Sequence, residues 1–174
     1  MNLQTQRLFL RPVRIHDAPD LFVARGDAET MQYWDWPAAR GVDEVRDLIQ
    51  RHHDAIDSGA TLWWTVATTT RGPAIGECDL SGIDVAHRRA EIGFLFRRDA
   101  WGQGYAREAM ARVMRHAFED LALERLWARI HAGNDASLRL VRQLGFSHEG
   151  TLRGHVLRDG VRRDCLLYGR FRQA

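Results

Sequence analysis

The chain has 174 residues, of which 45% are hydrophobic and 28% are charged, which is ordinary for a single globular domain with its own core. Its 25 basic residues, all of them arginine, nearly balance its 23 Asp and Glu residues, so the net charge of +2 argues against a general nucleic-acid binder. The first residues do not resemble a signal peptide and no window is apolar enough to cross a bilayer, so we expect a cytoplasmic protein without membrane contact.

Two cysteines and eight histidines form no pattern of a disulfide framework or a metal site. Cys78 and Cys165 lie far apart in strand-like segments, which indicates reduced, buried thiols. His52 and His53 are neighbours in a predicted helix and therefore point to different sides, and no His or Cys spacing suits zinc. We expect no metal ion.

The first third of the chain predicts one strand and two helices, with an aromatic segment between the helices. Residues 31–37 contain Tyr33, Trp34 and Trp36 without a helical or strand period. Two interpretations stay open for this segment: a loop packed on the core, or a wall of a small-molecule pocket, since such pockets are mostly apolar and aromatic. The predicted elements are a strand over residues 7–11 and helices over residues 17–26 and 42–57.

From residue 61 the hydrophobic period changes, which predicts three consecutive strands. Their short connections favour an antiparallel meander. Helices and strands then alternate as far as residue 152, and Asp159-Gly160 predicts a hairpin turn before the last strand. The predicted elements are strands over residues 62–67, 74–80, 89–96, 125–131, 146–152 and 164–171, and helices over residues 106–117 and 136–144.

A glycine pair lies between the predicted strand over residues 89–96 and the predicted helix over residues 106–117. Gly102 and Gly104 allow a tight turn and a close approach of a ligand to the backbone. The helix start behind them offers unpaired amide N–H groups and a positive dipole end, which together indicate an anion site. The alternative is a turn that needs glycine for its geometry alone.

Five ordered stretches make this chain similar to the GNAT superfamily of N-acetyltransferases, and within it to the Rim-type branch that includes ribosomal-protein N-terminal acetyltransferases. The resemblance implies a single GNAT domain over residues 1–174, of α/β (α+β) class, with a central mixed, mostly antiparallel sheet flanked by helices. The stretches are residues 5–11 with Asp17, residues 90–94, residues 101–106, Asn134 with Ser137 and Gly145-Phe146, and residues 149–153.

The resemblance implies acetyl-coenzyme A (acetyl-CoA) as co-substrate. Its pyrophosphate would bind the backbone amides of the glycine turn, which is what the turn itself indicates. In this family the strand before the turn pairs with the pantetheine arm, and an asparagine contacts the arm from the other side. The implied coenzyme-binding residues are Phe94, Leu95, Phe96, Gly102, Gln103, Gly104, Tyr105, Ala106 and Asn134. Asn134 is also a candidate N-cap, and the two roles are compatible.

Two positions depart from the family pattern. Trp101 stands where the signature usually begins with Gln or Arg, a variant that resembles the Rim-type branch and leaves phosphate binding through the backbone intact. Val141 stands where many relatives place a tyrosine that protonates the leaving thiolate. The usual general acid is therefore absent.

Three side chains remain as candidates for catalysis. Glu91, on the strand that leads into the glycine turn, is the first candidate for the general base, because burial there raises the pKa of a carboxyl group. Glu77 on the neighbouring strand is the reserve, and each of the two is alternatively a solvated or hydrogen-bonded strand residue. Ser137 is expected to donate to the leaving sulfur, as its counterpart is thought to do in Rim-type relatives, or else to be an ordinary first-turn helix residue.

The expected reaction is acetyl transfer to a primary amine, with a peptide N-terminus as first choice and small molecules such as polyamines, amino sugars or amino acids as alternatives. An α-amine has a pKa of about 8 and needs less help from a base than a lysine at about 10.4. The competing interpretation is a sensor or interaction module that binds the coenzyme without turnover. A homodimer stays open, and the arginines of the last hairpin, including Arg158 and Arg163, are expected to be solvated or to steer an acidic partner.

Overall fold

The computed structural model describes residues 1–173, and at its centre lies an eight-stranded sheet with the order β1-β2-β3-β4-β5-β6-β8-β7. The pair β5–β6 is parallel, and every other neighbouring pair of this sheet is antiparallel. The strands are β1 (Leu3–Gln4), β2 (Phe9–Pro12), β3 (Leu62–Ala67), β4 (Gly76–Asp84), β5 (Arg89–Phe96), β6 (Arg125–His131), β7 (Ser147–Arg158) and β8 (Val161–Phe171). The predicted α/β class and mostly antiparallel mixed sheet are confirmed.

Helices cover both faces of the sheet. They are α1 (Ala18–Arg25), α2 (Val42–Arg51), α3 (His53–Asp57), α4 (Tyr105–Arg115) and α5 (Asp135–Gln143). Short 3-10 turns occupy Ile15–Asp17 and Arg98–Ala100, and a π-helical segment, His116–Asp120, extends α4. No helix within residues 1–173 is long and apolar enough to cross a membrane.

The larger core lies on the face of the sheet that α4 and α5 cover. Met110 and Val113 of α4 pack there with Cys78, Leu80 and Ile92 of β4 and β5. Because strand side chains alternate between faces, the next residues along β4 and β5 point to the opposite face, which α1 and α2 cover with a smaller apolar cluster. Four polar side chains share that second face: Glu77, Asp79 and Ser81 of β4, and Glu91 of β5.

Several predicted boundaries differ from the observed ones. The single helix predicted over residues 42–57 is two helices, with a break at His52, whose ring lies edge-on to Trp63. β7 and β8 form a longer hairpin than predicted and reach the turn at Asp159-Gly160. The two-residue strand β1 was not predicted, because a segment so short has no period to detect. Both cysteines are buried and free, as predicted.

Candidate active site

A cleft opens between the only two parallel strands of the described sheet. β5 and β6 pair over residues 89–91 and 125–127 and then separate, although both strands continue. From Ile92 to Phe96, β5 remains paired with β4 along its other edge. The peptide groups of Phe94, Leu95 and Phe96 that face β6 are therefore free to pair with an extended ligand, except for the carbonyl oxygen of Phe96, which accepts a hydrogen bond from Trp101.

The glycine turn lies at the end of β5 and opens α4. Gly102 and Gly104 have φ values of +73° and +78°, a left-handed conformation that residues with a Cβ adopt only with strain. The backbone N–H groups of residues 102–107 donate to no acceptor within residues 1–173. Six unpaired amides thus lie at the positive end of α4, an arrangement that suits a phosphate group.

Trp101 fixes this turn to the end of β5. Its indole Nε1 donates to the carbonyl oxygen of Phe96 over 2.7 Å, and Gln103 Nε2 donates to the carbonyl oxygen of Asp99 over 2.9 Å. The tryptophan that replaces the usual Gln or Arg therefore supports the shape of the turn. The amides that would meet a phosphate belong to the residues after it.

Asn134 and Ser137 lie at the start of α5, across the cleft from β5. Asn134 Oδ1 accepts a hydrogen bond from Ser137 N over 3.1 Å, so the predicted N-cap is confirmed. Both residues line the cavity described below. Val141, further along the same helix, is fully buried in the larger core, and its side chain does not line the cavity.

A cavity of about 270 Å³ continues from the cleft under the aromatic segment of residues 31–37. Its floor is the polar face of β4 and β5, with Asp79, Ser81 and Glu91. The aromatic segment forms one wall, as one of the two interpretations of that segment predicts. The aromatic residues that line the cavity are Tyr33, Trp34, Trp36, His52, Trp63 and Phe94.

Asp35 holds the aromatic segment against β6. Its carboxylate accepts hydrogen bonds from Arg129 Nη2 and from His131 Nε2, each over 2.7 Å. The hydrogen bond from His131, together with that from Arg129, lowers the pKa of Asp35 to about 2 in spite of its partial burial. The carboxylate is thus ionised throughout the neutral range.

The hairpin of β7 and β8 holds the same segment from the other side. Arg158 Nη1 donates to the carbonyl oxygens of Met31 and Trp34, and Arg163 Nη1 donates to that of Gln32 over 2.9 Å. The expectation that these two arginines are solvated or steer a partner is therefore wrong, because backbone carbonyls of the loop occupy them. Nothing in the local sequence indicates this, since the partners are more than 120 residues away.

Glu77, the reserve candidate for the base, lies beneath the cavity and does not line it. Its side chain is only 4% exposed and forms an ion pair with Arg25 of α1. The Arg25 guanidinium also lies 5.4 Å from the ring of Trp34 and 5.3 Å from that of Trp63. Glu77 is therefore committed to a buried pair that anchors α1 and the aromatic wall.

Glu91, the first candidate, is partly buried and lines the cavity. Burial raises the pKa of its carboxyl group, Arg129 lowers it, and Asp35 raises it again, with a net rise. The predicted direction of this shift and its physical cause agree with the structure.

Asp79 also lines the cavity, and sequence analysis did not single it out. It faces Gly93 across the β4–β5 ladder, and a Cβ at residue 93 would lie 2.5 Å from Asp79 Oδ1. The Asp79 carboxyl group therefore fits beside residue 93 because glycine has no side chain there. Burial, followed by repulsion from Glu77 and Glu91, raises the pKa of Asp79 to about 7.

The charges around the cavity leave two carboxyl groups without a paired cation. Arg25 pairs with Glu77, and Arg129 pairs with Asp35. No Lys, Arg or His nitrogen among residues 1–173 forms an ion pair with Asp79 or Glu91. An occupant that carries a positive charge or an amine is therefore favoured here, and the aromatic walls suit such a group as well. Within the same residues, no group of three or more His, Cys, Asp or Glu side chains is arranged to hold a metal ion.

Known proteins resemble this chain in sequence and in fold. Residues 7–147 match the family model described as an acetyltransferase (GNAT) domain. The N-acetyltransferase p20 of Bacillus licheniformis, described as uncharacterized, is 31% identical over 166 residues, which cover 95% of this chain and 93% of that protein. The spermidine N(1)-acetyltransferase of Escherichia coli K12 is 27% identical over 158 residues, or 90% and 82% of the two chains. The structure of RimL, described as a ribosomal L7/L12 alpha-N-protein acetyltransferase in complex with coenzyme A, has a TM-score of 0.88 and 20% identity over 98% of each chain.

Proposed function

The chain belongs to the GNAT family of acetyltransferases, and on that premise we propose that it acetylates a primary α-amine. It is an acetyl-CoA-dependent acetyltransferase, so the acetyl thioester supplies the activated group. The proposal concerns which residues bind the coenzyme, which residues move protons, and which amine accepts. An α-amine acceptor would place the chain with the Rim-type branch, whereas a polyamine would place it with enzymes such as the spermidine acetyltransferase.

The proposed coenzyme site runs from the glycine turn into the cleft. The free amides of Gly102, Gln103, Gly104, Tyr105 and Ala106 suit the diphosphate, because they supply donors and a positive helix end without needing basic side chains. The free edge of β5 at Phe94, Leu95 and Phe96 suits the amide groups of the pantetheine arm. Asn134 lies on the opposite side of the cleft, within reach of the same arm.

Asp79 is the proposed general base, and its position on the cavity floor is the observation that carries the proposed function. A base works best when its pKa is near the working pH, and the pKa of Asp79 is about 7. Taking a proton from an α-ammonium group of pKa about 8 costs about 1.4 kcal/mol, whereas a lysine-like amine of pKa about 10.4 costs about 4.6 kcal/mol. Asp79 therefore suits an α-amine better than an alkylamine.

Glu91 and Ser137 have supporting roles in this proposal. Glu91 attracts the ammonium form of the acceptor, and its charge helps to keep the pKa of Asp79 high. Ser137 stands beside Asn134 at the cleft and is proposed to donate to the leaving sulfur. A thiol of pKa about 8.5 leaves readily as a thiolate, so a weak donor suffices.

We expect Glu91→Gln and Ser137→Ala each to lower kcat about 10-fold while the Kd for acetyl-CoA stays within about twofold. Glu91→Gln also removes a negative charge beside Asp79, so the midpoint of the rise in kcat/KM with pH should move to lower pH. Steady-state kinetics between pH 5.5 and 9 check both statements. Wild-type turnover in both variants would remove these roles, and a far larger loss in Glu91→Gln would make Glu91 the base.

A panel of acceptors at pH 7.5 tests the proposed substrate class. Free thiol release from acetyl-CoA should be fastest with α-amines, such as short peptides and amino-acid amides. Peptides with an acetylated N-terminus and a free lysine are the matched controls, and should react at least 10-fold more slowly because their amine has the higher pKa. A clear preference for spermidine would replace the α-amine with a polyamine. Binding of acetyl-CoA without turnover on any acceptor would support the sensor interpretation.

A further inference from the structure

The N-terminal segment of residues 5–7, one of the stretches that carries the family resemblance, lies against the glycine turn and is used nowhere in the mechanism above. Its partner is Glu108, in the first turn of α4. Glu108 Oε1 accepts hydrogen bonds from Thr5 Oγ1 and, over 3.0 Å, from the backbone N–H of Arg7. Arg7 Nε donates to Glu108 Oε2 over 2.6 Å.

Arg7 joins Glu108 to the glycine turn. Its Nη1 donates to the carbonyl oxygen of Gln103 over 3.0 Å, and its guanidinium lies 4.9 Å from the centre of the Tyr105 ring. A Cβ on Gly104 would lie 3.5 Å from Arg7 Nη2, so the guanidinium covers this side of the turn. One planar cation thus contacts Gln103 and Tyr105 on either side of Gly104, and Glu108 of the helix behind them.

The contact with Gln103 determines where the next amide points. Every peptide bond described is trans, and in a trans peptide the C=O and N–H groups point in opposite directions. Because Arg7 holds the carbonyl oxygen of Gln103 on its own side, the N–H of Gly104 is directed away from Arg7. That N–H is one of the six amides with no acceptor in the described chain.

Arg7 has a second effect on the proposed anion site, because it lies beside the negative charge of Glu108. Burial raises the pKa of Glu108, but the hydrogen bonds from Thr5 and Arg7 outweigh it, so the net pKa is lowered and the carboxylate stays ionised. A negative charge in the first turn of α4 disfavours a bound anion there. Arg7 forms an ion pair with Glu108 and thereby offsets this negative charge.

We propose that Arg7 is a positioning residue for the coenzyme: it orients the Gln103–Gly104 peptide so that its N–H meets the diphosphate, and it offsets the charge of Glu108. This inference rests on the proposed coenzyme site. Its effect is confined to the diphosphate, because Arg7 contacts neither the free edge of β5 nor the acceptor cavity.

Arg7→Lys is the informative variant. Lysine keeps the positive charge and one contact with Glu108, but it cannot bind Glu108 and the Gln103 carbonyl as a planar fork. We expect KM for acetyl-CoA, and the calorimetric Kd for CoA, to rise about 10-fold with little change in kcat. With S-acetylpantetheine, which lacks the diphosphate, kcat/KM should match that of the wild type. Arg115→Lys, at an exposed position in the last turn of α4, is the control for replacing an arginine away from the glycine turn.

The outcomes separate this inference from the proposed coenzyme site. Unchanged KM and Kd in Arg7→Lys overturn the role of Arg7, and so do equal losses with both acetyl donors, which indicate a general structural effect. If the wild type prefers acetyl-CoA no more than S-acetylpantetheine, the diphosphate site itself is wrong. Melting temperatures of all variants show whether a loss of binding comes from a loss of folding.

Discussion

Asp79→Asn is expected to lower kcat about 10²- to 10⁴-fold and to leave the Kd for acetyl-CoA within about twofold. Asparagine has nearly the same shape as aspartate, so it fits the space above Gly93, but it cannot accept the proton of the attacking amine. The proposed coenzyme contacts lie elsewhere, at the glycine turn and along β5. Steady-state kinetics and calorimetry on the same preparations separate the two effects.

The pH dependence of the wild type gives an independent check. The base must be ionised to accept a proton, and the pKa of Asp79 is raised to about 7. Activity should therefore be low at pH 5.5, rise through a midpoint near 7 and level off above it, provided that the acceptor is saturating. Asp47→Asn, at an exposed position on α2, is the matched control and should keep both the rate and the profile. Near-normal turnover of Asp79→Asn would exclude Asp79 as the base.

Gly104→Val should weaken acetyl-CoA binding by at least about 100-fold without unfolding the protein. A left-handed conformation costs a residue with a Cβ about 1–2 kcal/mol, and a β-branched side chain resists it most. With φ of +78° at Gly104, this strain is relieved by rotating the peptides on either side, which changes the directions of the unpaired amides. The bulky side chain would also press on Arg7. Calorimetric titration with CoA measures the loss.

Gly59→Val is the matched control for this second variant. Gly59 follows α3 with a φ of +75°, and no atom lies within 4 Å of a Cβ built there. The substitution therefore imposes a similar backbone strain far from the glycine turn, and should lower the melting temperature without changing the affinity for the coenzyme. If Gly104→Val binds CoA like the wild type, the turn is a geometric feature only.

The fold and the proposed coenzyme side of the site follow closely from local sequence. The strand before the turn, the two glycines and the helix after them are consecutive in the chain, so their spacing predicts both the turn and its free amides. The residues around the proposed acceptor come from distant segments. Glu77, for example, is 52 residues from its partner Arg25. This ion pair makes Glu77 a structural residue, in contrast to Glu91, and the local sequence does not indicate it.

Asp79 shows why the proposed acceptor side is harder to predict. An acidic residue in a strand resembles any solvated polar residue until its neighbours across the sheet are known. The register that places it opposite Gly93, on the same face as Glu77 and Glu91, depends on a β-bulge near Ser81 and on the packing of α1 and α2. Because side chains alternate between the faces of a strand, Glu77 and Asp79 of β4 share one face of the sheet. This alternation is the feature of the sequence that indicates Asp79 as a candidate beside Glu77.

The contacts that hold the aromatic segment of residues 31–37 also determine the order in which two parts of the site form during synthesis. These parts are the glycine turn and the cavity under the aromatic segment. Residues 31–37 leave the ribosome early, but their partners Arg129, His131, Arg158 and Arg163 are made about 90 to 130 residues later. β5, the glycine turn and α4 are translated before any of these partners. A nascent chain can therefore assemble its glycine turn first, and the proposed acceptor cavity is closed only when the last hairpin emerges.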